Sequence, residues 1–312
     1  MAGLRVTPSA DASGAYPRDM IGYGRERPDA DWPGGARIAV QIVVNYEEGG
    51  ENNVLHGDAA SEAFLSEIVG AEAWPGERHM NMESIYEYGS RAGFWRLHRM
   101  LRDVPVTVFG VATAMARNPR AVAAMGEAGW EIASHGWKWI DYRAVPPAVE
   151  REHLERAFAL HEELTGAPPA GLYQGRTSAS TIAIAEDMGV GIGSGWLADS
   201  YADDLPYYLA SGALVVPYTL DANDMRFATA QGFNSGAQFE TYLGDTFDVL
   251  LREGRAGRAA MMSVGLHCRL AGRPGRAAAL GRFLERVRAC EDAWLCTRGQ
   301  IADHWRRRHP PE

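Results

Sequence analysis

Apolar and polar positions along this 312-residue chain fall into short runs that switch between two periods. Ile38-Ala39-Val40-Gln41-Ile42-Val43-Val44 is nearly all apolar, rich in β-branched residues and followed by a Gly-containing breaker, which predicts a buried strand. From 84 to 101, Ile85, Tyr88, Phe94, Leu97 and Leu101 share part of one helical face. Further strands are predicted at 106–111, 130–134, 171–174, 213–220, 260–266 and 294–297. Helices are predicted at 119–128, 148–165, 180–188, 238–254, 276–289 and 298–308, with Gly129, Gly166 and Gly189 closing three of them. Strand and helix in alternation predict right-handed βαβ units on a parallel sheet, and about seven units favour a barrel over an open sheet. The pattern breaks between 49 and 83, where a long irregular stretch is expected to carry function or to cover a partner. No repeat or linker divides the chain, so 16–312 reads as one domain behind a disordered leader, 1–15.

Composition narrows the classes. At 46% hydrophobic and 23% charged the chain can bury a core, and a net charge of −9 without Lys-rich runs argues against nucleic acid or a membrane surface as partner. The run Arg306-Arg307-Arg308-His309 reads as a solvated helix end. Three cysteines, 268, 290 and 296, form no CxxC pair and suit a reducing compartment. The leader lacks the charged and apolar regions of a signal peptide, and no apolar stretch is long enough to span a bilayer. The expectation is a soluble, cytoplasmic protein.

The chemistry gathers just after the strands. Asn45-Tyr46-Glu47-Glu48-Gly49 ends the first apolar run and sets two carboxylates at a strand mouth, where α/β enzymes collect catalytic groups. Later strand ends bring Ser134-His135-Gly136 with Trp139 and Asp141, then Gly175-Arg176, then Asp221-Ala222-Asn223-Asp224, then His267-Cys268-Arg269. Each has an ordinary explanation: a packing histidine, an arginine bridging a carboxylate, an aspartate capping a turn. Together, carboxylates, imidazoles and an arginine are what hydrolysis of a C–N bond needs, namely a base for water, a donor for the oxyanion and an acid for the leaving nitrogen.

The order of carboxylate pair, Ser-His-Gly, Gly-Arg and a late Leu-His resembles the polysaccharide deacetylase (NodB-like) superfamily. The closer resemblance is to its allantoinase branch, carried by 16–24, 45–58, 82–91, 134–136, 139–142, Ala202-Asp203-Asp204-Leu205-Pro206-Tyr207, 217–227 and 265–274. It covers the chain from about Tyr16 to its end. It implies a distorted (β/α)7 barrel and a hydrolase that opens a cyclic amide, (S)-allantoin to allantoate in purine and ureide breakdown. It also implies a homo-oligomer, taken as a tetramer, with 49–83 and its Trp74, Met80 and Met82 at the interface.

Three departures from the family pattern shape the site expected. The first motif of the metal-dependent members has two aspartates, and here it is Glu47-Glu48. Their second histidine, four residues after the first, is Trp139 here, so no tightly bound metal is expected; zinc recruited through His56 or His79 is the alternative. Before the Ala-Asp-Asp-Leu-Pro segment the chain is Gly-rich over 191–195, which implies a reshaped loop with Asp199 in place of the usual acid. The implied roles are Glu47, or else Glu48, as general base with its pKa raised by the like-charged neighbour. His135 and His267 flank the substrate, one of them protonating the leaving nitrogen. Arg176 holds a carbonyl, Trp139 walls the ring, Asn223 and Asp224 meet ureide N–H groups, and Asp141 and Asp199 complete the substrate-binding set. The alternatives are hydrolysis of other cyclic imides, deacetylation of an N-acetylated glycan, and a binding barrel without catalysis.

Overall fold

The strand β1 (Ile38–Tyr46) is buried at all nine positions, as its unbroken apolar run requires of a strand covered on both faces. The fold is that of a computed structural model describing residues 18–68 and 70–311; the leader expected over 1–15 lies outside them, as do the first two residues of 16–24. Side chains of a strand alternate between its faces. Ile38, Val40, Ile42, Val44 and Tyr46 pack into the cluster shared with the surrounding helices, whereas Ala39 and Val43 join a second, interior cluster containing Phe109, Tyr173, Trp196 and Tyr218. Gln41, Asn45 and Glu47 continue that inward row.

Around β1 the sheet is parallel. β2 (Val106–Gly110) pairs with residues 42–46, β6 (Ala260–His267) with residues 38–45, and β7 (Ala293–Cys296) with residues 38–41. Since β6 takes one edge of β1, β2 and β7 divide the other end to end. β3 (Glu131–Ser134) lies beyond β2. From there single parallel bridges, Ser134–Leu172, Leu172–Leu197 and Leu197–Val215, carry the arc onward, and Asn223–Gly265 joins it to β6.

The α/β class and parallel sheet match expectation, but the ladder is not a closed ring of seven strands. The run 171–174 makes single bridges, and in 213–220 only Leu214–Val215 (β5) forms a ladder, antiparallel to Tyr207–Tyr208 (β4). Pro217 offers no N–H to extend it.

The helix expected over 84–101 begins earlier and is interrupted. α1 (Met80–Tyr88) and α2 (Phe94–Leu101) are joined by a π-helical turn, Gly89–Gly93. Gly89 lies against the Glu48 carboxylate and Gly93 against the Cys268 carbonyl, so closely that a Cβ at either would collide. The turn thus lets helical backbone touch the ends of β1 and β6. α3 (Ala112–Arg117) was not anticipated. α4 (Pro119–Glu127), α5 (Pro147–Thr165), α6 (Thr181–Asp187), α7 (Gly236–Arg255), α8 (Pro274–Arg288) and α9 (Arg298–Arg308) lie close to the predicted spans.

Deep in the interior, below Asn45, Arg298 is fully buried and donates to Gln41 Oε1 (2.7 Å), Ser263 Oγ (3.1 Å) and the Pro217 carbonyl (3.0 Å). Burial pushes its pKa down to about 10, and the aromatic rings of Trp196, Tyr218 and Phe109 surround the guanidinium. Among the described residues no helix is long and apolar enough to cross a membrane.

Candidate active site

The inward row of β1 opens into a cavity of about 540 Å³ lined by Asn45, Glu47, His135, Trp139, Arg176, Tyr218, Asn223 and His267, among others. They come from at or beyond the ends of several strands and bridges, Asn45 and Glu47 from β1 and His135 and Trp139 from after β3, the placement expected of a strand-mouth site. Asp141 also lines it, at the rim, where its Oδ1 accepts from Arg143 N (2.9 Å).

At its centre Glu47 Oε1 is 3.3 Å from His135 Nε2 and 3.3 Å from His267 Nε2. The tautomers follow from the partners on the far sides of the rings. His135 Nδ1 faces the Tyr173 carbonyl at 2.8 Å and His267 Nδ1 faces Asp224 Oδ1 at 2.6 Å, so both Nδ1 atoms donate. Both Nε2 atoms are left facing one carboxylate oxygen, and a proton on Nε2 makes such a contact favourable. His267 carries it: burial alone would lower its pKa, but Glu47 and Asp224 outweigh burial and raise it to about 9. Asp224 is buried behind the cavity wall and also accepts from the backbone N–H groups of His267 (2.8 Å) and Ala271 (2.7 Å). It orients the imidazole rather than facing the cavity.

The carboxylate pair divides in a way the sequence did not anticipate. Glu47 and Glu48 are both buried, and Arg269, itself fully buried, donates to Glu47 Oε2 at 2.7 Å and approaches Glu48 Oε1 at 3.4 Å. Burial pushes Glu47 up, but the charges of His267 and Arg269 and the hydrogen bond from His267 hold it well below the usual carboxylate range. The expectation that its neighbour would raise it is therefore corrected. It is Glu48 that is raised, by burial, with Arg269 offsetting only part of the effect and Glu47 adding to it. Glu48 does not line the cavity; its Oε1 accepts from Arg269 N (3.1 Å).

Arg176 lines the cavity between Trp139 (5.0 Å to the ring centre) and Phe64 (5.3 Å), and it approaches Glu62 at 3.5 Å. Phe64 and Trp139 stack at 5.8 Å, so the 49–83 stretch supplies part of the cavity wall. Asp199 accepts from Gln174 N (2.6 Å) and Gly175 N (2.7 Å) and braces the turn before Arg176 instead of lining the cavity. Burial, countered by those bonds, lifts its pKa to about 6. Asn223 lines the cavity while capping the 3-10 turn Asp224–Ala228 through Oδ1 to Met225 N (2.9 Å). Arg269 and Asn45 were named from sequence only within their strand-end motifs and given no role, and Tyr173 and Tyr218 were not singled out; position two residues after His267 was the signal for Arg269.

The divalent ion that the resemblance attaches to the wider family does not fit these residues. Trp139 stands at the second histidine's position, and its indole lies under the Arg269 guanidinium (5.2 Å). That guanidinium already occupies both carboxylates. Among the described residues no group of three or more His, Cys, Asp or Glu is arranged to hold a metal ion. His56 Nδ1 faces the Glu51 carbonyl (3.0 Å) and His79 stacks on Trp74 (4.1 Å) while capping α1, and neither lines the cavity.

Known proteins resemble this chain over most of its length. The polysaccharide deacetylase family profile matches residues 85–192. A Schizosaccharomyces pombe protein named for that family is 40% identical, covering 94% of this chain and 98% of its own. Two solved structures superpose with TM-scores of 0.92 at 52% identity. One is from Pseudomonas aeruginosa PAO1, named for the same family, covering 95% of this chain and 100% of its own. The other is Puue allantoinase, covering 95% of this chain and 99% of its own.

Proposed function

Because this chain belongs to the polysaccharide deacetylase family and is 52% identical to Puue allantoinase, we propose that it is a hydrolase opening a cyclic amide, with (S)-allantoin converted to allantoate. The observation that carries the reading is the position of Glu47 Oε1, 3.3 Å from the Nε2 atoms of two histidines on the cavity wall. Glu47 takes a proton from water as its oxygen adds to the ring carbonyl carbon, and the π pair moves to the carbonyl oxygen. A carboxylate held so low is a weak base, and His135 Nε2, whose ring is fixed through Tyr173, stands beside it to take the proton on. As the tetrahedral carbon collapses, the C–N bond breaks and His267 Nε2 protonates the leaving nitrogen. Trp139 and Phe64, stacked on each other, give the cavity an apolar wall for a flat ring, and Arg176 beside them offers N–H donors to a ureide carbonyl.

The reading includes catalysis without a bound metal, supported by the guanidinium against both carboxylates and the indole in place of an imidazole. It also makes the enzyme a cytoplasmic homotetramer of ureide breakdown, which light scattering on the purified protein addresses for the subunit count. The deciding experiment is turnover of allantoin, succinimide, maleimide and an N-acetylglucosamine oligomer before and after exhaustive chelation. Allantoin is expected to be opened fastest and at an unchanged rate after chelation. Loss of activity restored by zinc would overturn the metal-free mechanism, and faster turnover of either imide or the glycan would overturn the substrate.

A further inference from the structure

One hydroxyl on the cavity floor has its hydrogen-bonding capacity half used, in a way that fixes where the other half points. Tyr218 Oη accepts from Asn45 Nδ2 at 3.1 Å and from Asn223 Nδ2 at 3.3 Å. Neither amide can be turned round. Asn45 Nδ2 also donates to the Leu266 carbonyl (3.2 Å), and Asn223 Oδ1 accepts from Met225 N (2.9 Å), which places its Nδ2 on the Tyr218 side. An –NH2 group only donates, so both lone-pair positions of Oη are filled and its own proton has to go elsewhere. Among the described residues no acceptor is hydrogen-bonded to it, and Tyr218, Asn45 and Asn223 all line the cavity.

The surroundings favour a donor here. Asn45 sits two residues before Glu47 on the same face of β1 and pairs in register with His267. Gly265 on β6 leaves the room in which Oη and the Asn223 amide meet, since a Cβ there would collide with both. The Tyr218 ring is held edge-on against Phe109 (5.2 Å) and Tyr173 (4.9 Å). Burial raises the phenol's pKa, so it stays protonated, and two amide donors polarise its O–H toward a stronger hydrogen bond.

We propose that Tyr218 is a catalytic residue that donates its phenolic O–H to the carbonyl oxygen of the amide being opened and steadies the oxyanion formed when water adds. No proton is transferred: the π electrons move to the carbonyl oxygen, the hydrogen bond shortens, and it relaxes when the C–N bond breaks. The donor would serve in place of the Lewis acid that the wider family resemblance implies. The proposal rests on the cyclic-amide reading above.

The test compares wild type, Tyr218→Phe and a protein carrying 3,5-difluorotyrosine at 218, each on allantoin. Loss of one oxyanion donor is expected to lower kcat of Tyr218→Phe by about 10²–10³-fold with KM within about threefold. The fluorinated phenol keeps the ring and is a stronger donor while protonated, so at pH 6, well below the decline set by His267, its kcat is expected to rise about two- to threefold over wild type. An acceptor-only, structural hydroxyl would be weakened by fluorination and would leave kcat unchanged or lower. Wild-type turnover with Tyr218→Phe within threefold in kcat, or with no rise in kcat in the fluorinated protein, overturns the proposal alone. If Tyr218→Phe fails to fold, the fluorinated protein decides. If the wild type opens no cyclic amide, the functional reading fails and the proposal with it.

Discussion

Arg269 Nη2 lies 2.7 Å from Glu47 Oε2, and both side chains are sealed from solvent. The contact decides which oxygen of Glu47 faces the cavity. With Oε2 tied to the guanidinium, Oε1 is the atom left between the two imidazoles. The pair is a positional device, and it lies in a setting where an unpaired charge is expensive.

Removing the guanidinium is expected to show both effects. Arg269→Ala leaves Glu48 without its cation and Glu47 with His267 alone, and should lose about 3–5 kcal/mol in urea melts. Arg269→Lys keeps a charge but not the planar fork that reaches both acids, so it should be less destabilised yet at least about tenfold slower. An Ala variant within about 1 kcal/mol of wild type would contradict the role given to the pair.

Glu47→Gln preserves shape while removing the carboxylate. Its kcat should fall by about 10²–10⁴-fold, the usual worth of a positioned base, with little change in KM. Near-normal steady-state turnover would rule Glu47 out.

The pH dependence follows from His267. Its folded pKa, about 9, lies above the ordinary 6.5, so activity that needs the imidazolium should decline through about pH 9. Its contribution to stability is complete below 6.5 and is lost as pH rises through 9. Glu47 is displaced the other way: its contribution is present above the ordinary 4.5 and is lost as pH falls through its depressed folded value. Asp224→Asn removes one of the two charges that raise His267 and should shift the basic limb of kcat/KM to lower pH; an unmoved limb would detach Asp224 from that proton.

Two glycines should respond oppositely to alanine. Gly93→Ala forces a methyl onto the Cys268 carbonyl and should cost about 1–3 kcal/mol or more. Gly126 lies within α4 with open space around it, and Gly126→Ala should stabilise by about 0.5–1 kcal/mol. Thermal melts of the two variants distinguish a glycine required for close approach from one that is merely tolerated.

What could be read from the amino acids is what short-range pattern controls. The run at Ile38 gave β1, the helical faces gave α5, α7 and α8, and Gly166, with φ of 79°, ended α5 as a left-handed cap should. His135 and His267 were located because strand ends are local features. The breakdown of the 171–174 and 213–220 strands into single bridges depends on how the arc curves, which no local period records. The π-helical turn exists because Glu48 and Cys268 lie against Gly89 and Gly93, partners far away in sequence. The fate of the carboxylate pair was hidden for the same reason. Adjacent acids suggest mutual repulsion, and only the arrival of Arg269 and His267, more than two hundred positions later, turns Glu47 the other way.

The divided edge of β1 bears on how the protein is made. β1 pairs with β2 about sixty residues later in the chain, but its other partners, β6 and β7, are synthesised more than two hundred residues after it. Until residue 296 has emerged, β1 has backbone donors and acceptors with nothing to meet, and an apolar surface without its cover. Completion of the catalytic centre therefore waits on residues made more than two hundred positions after β1, and the nascent chain must be kept from aggregating throughout that interval.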